Sequence, residues 1–256
     1  MHGRLVRLVV LASGVSASTA AGAEAARAQA SPARSAAEIC LAANRDVSLG
    51  VPLPRTAARL KAGGPLRVVA IGSSSTVGFG VFSTAATYPE IMRSELATLR
   101  SGAQIEMINS GRLFDTIPGS MARFDRDVRA HRPDLVIWQL GTNDATWAGG
   151  GEALKDQVLR GVRELKADGM DVVLMDLQYA PLVLASSQHT RMEAIIAEAA
   201  HEERVGLFPR FALMRRAIEA GLPRGALVSW DGLHNSADGY ECVGRALARA
   251  IHAGAR

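Results

Sequence analysis

The chain has 256 residues, 48% of them hydrophobic, with a formal net charge of +4 and two cysteines. That length suits one α/β domain with a full core. The basic residues form no concentrated stripe, which argues against a nucleic-acid partner. After the first few residues, no segment is apolar for the ~20 positions that a membrane helix needs.

The amino-terminal stretch has the layout of a secretory signal peptide. Arg4 and Arg7 make it basic, Leu8 to Val15 is mostly apolar, and small residues follow. Ala21-Gly22-Ala23 and Ala28-Gln29-Ala30 are candidate cleavage sites, with cutting expected after Ala23 or Ala30. Residues 1–30 carry Arg4, Arg7 and Arg27 against Glu24, so their removal lowers the net charge from +4 to +2. The expected product is secreted or periplasmic, a monomer with no membrane span. In such a compartment Cys40 and Cys242 invite a disulfide, the alternative being two separate buried thiols.

Residues 31–64 read as an amino-terminal extension, with helices expected at Ala36–Ala43 and Arg55–Ala62, the latter with Leu60 inward. Residues 65–256 read as the main domain. Leu66 to Ile71 is apolar and β-branched, a buried strand that ends at Gly72-Ser73-Ser74-Ser75-Thr76. Tyr88 to Leu99 is an amphipathic helix with Pro89 at its start. Gln104–Asn109 is a second strand, followed by a turn-rich stretch to Ser120. Met121 to His131 reads as helical from the spacing of Met121, Phe124 and Val128.

Leu135–Leu140 is a third strand, closed by Gly141. Gly149-Gly150-Gly151 reads as a flexible break before a charged helix, Glu152–Ala167. Asp171–Leu177 is a fourth strand, and residues 178–187 are a loop. A helix at Gln188–Glu203, a short strand at Val205–Phe208 and a helix at Phe211–Ala220 follow. Residues 221–236 are loop, and Ala237–Ala253 is the closing helix. Such alternation predicts a three-layer α/β/α sandwich around a parallel five-stranded sheet of flavodoxin-like order 2-1-3-4-5.

Three polar clusters fall just past strand ends or in the last loop. Ser74 stands where the first strand turns into a helix, a place for a nucleophile if a base is near. By itself the same pattern would suit a helix cap. Asp231-Gly232-Leu233-His234 lets a carboxylate turn onto the imidazole three residues later, leaving Nε2 to take a serine proton. Gly141-Thr142-Asn143-Asp144 follows the third strand, and its amide could donate to an oxyanion. Asp144 suits a structural cap better than an acid.

Taken together, the clusters resemble the SGNH (GDSL-like) hydrolase family over roughly residues 65–256. The resemblance implies a Ser-His-Asp triad of Ser74, His234 and Asp231, acting through an acyl-enzyme. It implies an oxyanion hole of the Ser74 N–H, the Asn143 side chain and a backbone N–H from the second block, Asn109 to Thr116. Two positions depart from the family pattern. Ser73 stands where aspartate is usual, and Phe114 stands where glycine usually supplies the backbone donor. Gly111 offers an alternative register.

The expected substrate is a small ester, an acylated sugar, a lysophospholipid or an aryl ester, cleaved without cofactor or metal. Rival readings keep the same groups for acyl transfer to an alcohol, or use Ser73 to Thr76 to cradle phosphate in a flavodoxin-like flavin-binding module. Trp147 and Tyr179 lie in loops beside the crevice, where they either line a pocket or pack at its rim.

Overall fold

Five short apolar segments form one parallel sheet: β1 (Leu66–Gly72), β2 (Ile105–Gly111), β3 (Leu135–Gln139), β4 (Asp171–Met175) and β5 (Gly206–Phe208). Their order is β2-β1-β3-β4-β5, as expected from the sequence. β3 and β4 are buried along their whole length, as continuous runs such as Leu135-Val136-Ile137-Trp138 require when helices cover both faces. Register places Ile71 beside Ser110 and Trp138, so β1, β2 and β3 end together. This computed structural model describes residues 34–147, 153–223 and 225–256. The predicted leader and the Gly149–Gly151 break lie outside the described residues.

Helices α1 (Ala36–Ala43), α2 (Pro54–Lys61), α3 (Ser74–Val77) and α4 (Tyr88–Leu99) precede β2. Next come α5 (Ile117–Met121), α6 (Phe124–Asp127), α7 (Thr142–Thr146) and α8 (Ala153–Ala167). α9 (Pro181–Leu184), α10 (His189–Glu203), α11 (Arg210–Glu219) and α12 (Ala237–Gly254) complete the chain. α4 and α12 pack on each other with α1 against α12 and α11, while α8 packs with α5 and α10. Right-handed crossovers in this strand order put those groups on opposite faces of the sheet.

Ser35–Arg256 form one compact unit. Residues 35–64 of the expected extension therefore contribute to the same core, through Ala37, Cys40, Leu41, Leu49 and Leu53. Cys40 and Cys242 are joined by a disulfide, with Cα atoms 6.0 Å apart. α2 is fixed to the far end of the sheet. Arg55 and Arg59 donate to the buried Asp134 carboxylate, and the Thr56 N–H and hydroxyl donate to Asp171. Leu60 is only half-buried and Thr56 takes the inward position.

One expected helix is broken. Met121 to His131 divides into the end of α5, then α6, then a 3₁₀ turn at Arg129–His131 closed by Arg132 at φ 46°. Phe124 and Val128 are buried as the spacing required, but the backbone follows the turns instead of one cylinder. The 178–187 loop also contains a turn of helix, α9, which starts at Pro181.

Candidate active site

β1 delivers Ser74 as the first residue of α3, so its N–H has no acceptor within the helix. Ser73 precedes it in extended backbone, and its N–H and hydroxyl both donate to Gln139 Oε1, at 2.8 and 2.9 Å. Thr76 Oγ1 donates to the same oxygen. Gln139, the polar end of an apolar strand, thus holds the turn where the family pattern has aspartate.

The loop after α11 brings His234 to this turn. His234 Nε2 lies 2.7 Å from Ser74 Oγ, and Nδ1 lies 2.5 Å from Asp231 Oδ2. The carboxylate can only accept, so Nδ1 carries the proton and Nε2 is left to accept from the serine hydroxyl. Asp231 Oδ1 accepts the N–H groups of Leu233 and His234, each at 3.0 Å, and this closes the turn. Burial by itself would raise the Asp231 carboxyl. The hydrogen bond from His234 and the two backbone donors outweigh burial and hold the pKa below its ordinary value. The His234 ring packs on Phe79, with centroids 4.4 Å apart.

Asn143, in α7, is buried at the carboxyl end of β3. One of its amide hydrogens goes to the Asp115 carbonyl at 2.8 Å, which leaves the other available. The adjacent Asp144 accepts the Ile117 N–H that opens α5. Burial pushes the Asp144 carboxyl up to about 6 against that hydrogen bond. Asp144 is a cap, as the sequence suggested, for α5 through the Ile117 N–H and for its own helix through the Gly141 N–H.

Between these contacts runs the 112–116 loop. Phe114 sits at φ 59°, the left-handed region that costs an L-residue roughly 1–2 kcal/mol and explains why glycine suits this place. Its ring is 81% exposed and points into solvent. Gly111 is differently engaged. Its N–H donates to Asn109 Oδ1 at 3.0 Å, and a Cβ there would collide with the Val77 backbone nitrogen.

Residues 39–256 match the family model described as "Non-GDSL lipase-like family". The chain belongs to the Non-GDSL lipase-like family. It is 22% identical to an arylesterase of Vibrio mimicus over 185 residues, 72% of this chain and 88% of that one. Similar solved structures include a lipase/acylhydrolase from Enterococcus faecalis, at TM-score 0.63 and 22% identity, covering 73% of this chain and 96% of that one. A catalytic mutant of an acetylxylan esterase from Geobacillus stearothermophilus gives TM-score 0.61 and 21% identity, covering 73% and 94%. These structural likenesses establish the shared fold.

In this lipase-like chain, several supporting residues carry no signature in the amino-acid sequence. Asp115 and Arg123 form a buried ion pair at 2.6 Å, and Ser120 Oγ donates to the same carboxylate. Arg123 also donates to the carbonyls of Gly72 and Ser110, which ties the 112–116 loop to the ends of β1 and β2. Arg210 is fully buried and donates to Gln178 Oε1 at 2.7 Å. Gln178 accepts from Thr142 and donates to the Leu233 carbonyl, so one amide links the neighbours of Asn143 and of His234. The one available signal was a glutamine closing or following an apolar strand, at 139 and 178. Trp147 is exposed, whereas Tyr179 packs edge-on against Phe211.

Asp176 lies under this network, with Oδ1 accepting the Phe211 N–H. Burial raises its carboxyl from 3.8 to about 7, against the attraction of Arg210. A raised folded pKa stabilises below the unfolded pKa, and that contribution fades as pH climbs through about 7. Asp176→Asn keeps the acceptor and removes the titration. Between pH 5 and 8 the wild type should lose about 2–3 kcal/mol more than the variant, at ~1.4 kcal/mol per pKa unit. Urea unfolding at the two pH values measures this, and equal losses would contradict it.

Among the described residues, no group of three His, Cys, Asp or Glu side chains could hold a metal ion, and no helix is long and apolar enough to cross a membrane.

Proposed function

We propose that the protein is a serine esterase in which Ser74 is the nucleophile, His234 the general base and Asp231 its orienting partner. The observation that carries this reading is the unbroken chain from Ser74 Oγ through the imidazole to the Asp231 carboxylate. Ser74 Oγ attacks the ester carbonyl as its proton passes to His234 Nε2. The carbonyl becomes an oxyanion that accepts from the Ser74 N–H, the second Asn143 amide hydrogen and the Phe114 N–H. The C–O bond to the alcohol then breaks, and His234 returns the proton to the leaving alkoxide. Water repeats the sequence on the acyl-enzyme and releases the acid. An alcohol in place of that water would give acyl transfer by the same groups.

The positive φ at Phe114 and the committed N–H of Gly111 favour Phe114 as the backbone donor. The flavin-binding alternative gives Asp231, His234 and Asn143 nothing to do. An exported location is supported by the leader pattern and by the disulfide. The arylesterase and acetylxylan esterase relatives make short-chain esters the first substrates to try.

A fluorophosphonate probe tests the reading. It should modify one residue, and digestion with mass spectrometry should place the adduct on Ser74; a protein that hydrolyses esters yet is labelled elsewhere would overturn the assignment. Asn143→Ala should lower kcat by about 10²–10³, the range for loss of one oxyanion donor. Because the same amide holds the Asp115 carbonyl, the unfolding midpoint is recorded alongside. A well-folded variant with undiminished kcat would exclude Asn143 from the oxyanion hole.

A further inference from the structure

Phe79, Phe82 and Trp230 share a groove of about 710 Å³ with Val77, Val81 and Thr87. Trp230 and Phe82 are almost fully exposed, at 92% and 108%, an unusual display of large apolar rings on one surface. The groove meets the candidate site through one ring contact and one chain neighbour. Phe79 packs on the His234 ring, and Trp230 immediately precedes Asp231. Its wall is anchored, because Tyr240 donates its hydroxyl hydrogen to the Phe79 carbonyl at 2.9 Å.

Its position relative to the imidazole decides its occupant. In the proposed reaction the carbonyl oxygen turns toward Asn143 and the 112–116 loop, while the alkoxide leaves toward the group that protonates it, His234 Nε2. The groove borders the imidazole. Its lining offers no charged side chain. Ser83 Oγ is occupied as acceptor of the Ala85 N–H, and Thr87 Oγ1 donates to the Thr84 carbonyl. Ser83 keeps its hydroxyl hydrogen and Thr84 adds a third hydroxyl, still fewer groups than a sugar ring presents, whereas three aromatic rings suit an apolar ring.

We infer that this groove is the subsite for the alcohol part of the ester, and that it selects apolar, ring-bearing alcohols over sugars. The inference rests on the serine-esterase reading for its chemistry, but the binding itself does not require turnover.

The acyl group is therefore held constant as acetyl while the alcohol varies: ethyl, benzyl and 2-naphthylmethyl acetates, with a monoacetylated glucose. kcat/KM should rise at least tenfold from ethyl to 2-naphthylmethyl acetate, and the sugar ester should fall below benzyl acetate. Trp230→Ala and Phe82→Ala, both at exposed positions, should reduce the 2-naphthylmethyl value at least tenfold more than the ethyl value. A matched series of ethyl acetate, butyrate and octanoate should keep its relative order in these variants. If the octanoate preference collapses instead, the groove holds the acyl chain and the inference is wrong. A flat alcohol series also overturns it.

Calorimetric titration of Ser74→Ala with 2-naphthylmethanol separates the groove from the catalytic reading. Saturable binding that weakens at least tenfold on adding Trp230→Ala supports the subsite even if Ser74 proves not to be the nucleophile. Absence of saturable binding removes the subsite even if the esterase chemistry stands.

Discussion

Replacement of Ser74 by alanine is expected to lower kcat for short p-nitrophenyl esters by about 10⁴–10⁶, with the unfolding midpoint little changed. The size follows from what the hydroxyl does in the proposed reaction. It is the only group in the arrangement that both bonds to the acyl carbon and surrenders a proton to His234, so its loss abolishes the covalent route altogether. The fold should tolerate the change, since the turn is held by Ser73 and Thr76 on Gln139. His234→Ala should cost a similar factor, and the double variant little more, because the two act as one unit. Stopped or continuous assays at fixed enzyme concentration measure this. Additive losses in the double variant, or turnover preserved in folded Ser74→Ala, would leave the acyl-enzyme mechanism without its nucleophile.

Removal of the disulfide by Cys40→Ala with Cys242→Ala should destabilise the protein by about 2–5 kcal/mol. The bridge closes 202 residues of sequence separation, so it withdraws a large share of freedom from the unfolded chain. Both sulfurs are fully buried between α1 and α12, and alanine avoids leaving an unpaired hydroxyl there. For a chain of this size the loss corresponds to a fall in Tm of roughly 4–20 °C. Calorimetry without reductant reads the shift. The reduced wild type should move in the same direction. A variant that melts with the oxidised wild type would show that the bridge contributes nothing to stability.

The parts of the fold that sequence made legible are those written in short range. β-branched runs mark β1, β3 and β4, and Tyr88–Leu99 has the bounds its pattern suggested. Ser74, Asn143 and the Asp231–His234 pair stand at strand ends or in short local patterns, each of which alone would suit a cap or turn, and the resemblance to the SGNH family is what joined them. The Asp115–Arg123 pair and the Arg210–Gln178–Leu233 path have no such pattern. Their partners meet only after the sheet has brought separate loops together, and any surface arginine looks the same in sequence. The left-handed backbone at Phe114 was signalled only through the family pattern, which has glycine there, since an aromatic ring does not by itself advertise a positive φ. The break near Met121–His131 left no mark in the spacing: inward spacing of Phe124 and Val128 is satisfied by successive turns as well as by one helix.

The seating of α1 has a consequence for how the polypeptide matures. Ala37, Cys40 and Leu41 are covered by α11 and α12, which are made after all five strands of the sheet. Until those helices arrive, α1 lacks the two helices it packs against most and Cys40 lacks its disulfide partner. Translation stalled before residue 242 should therefore leave Cys40 open to alkylation, and maturation becomes a late closing of α1 onto α12 across the finished sheet instead of growth outward from α1.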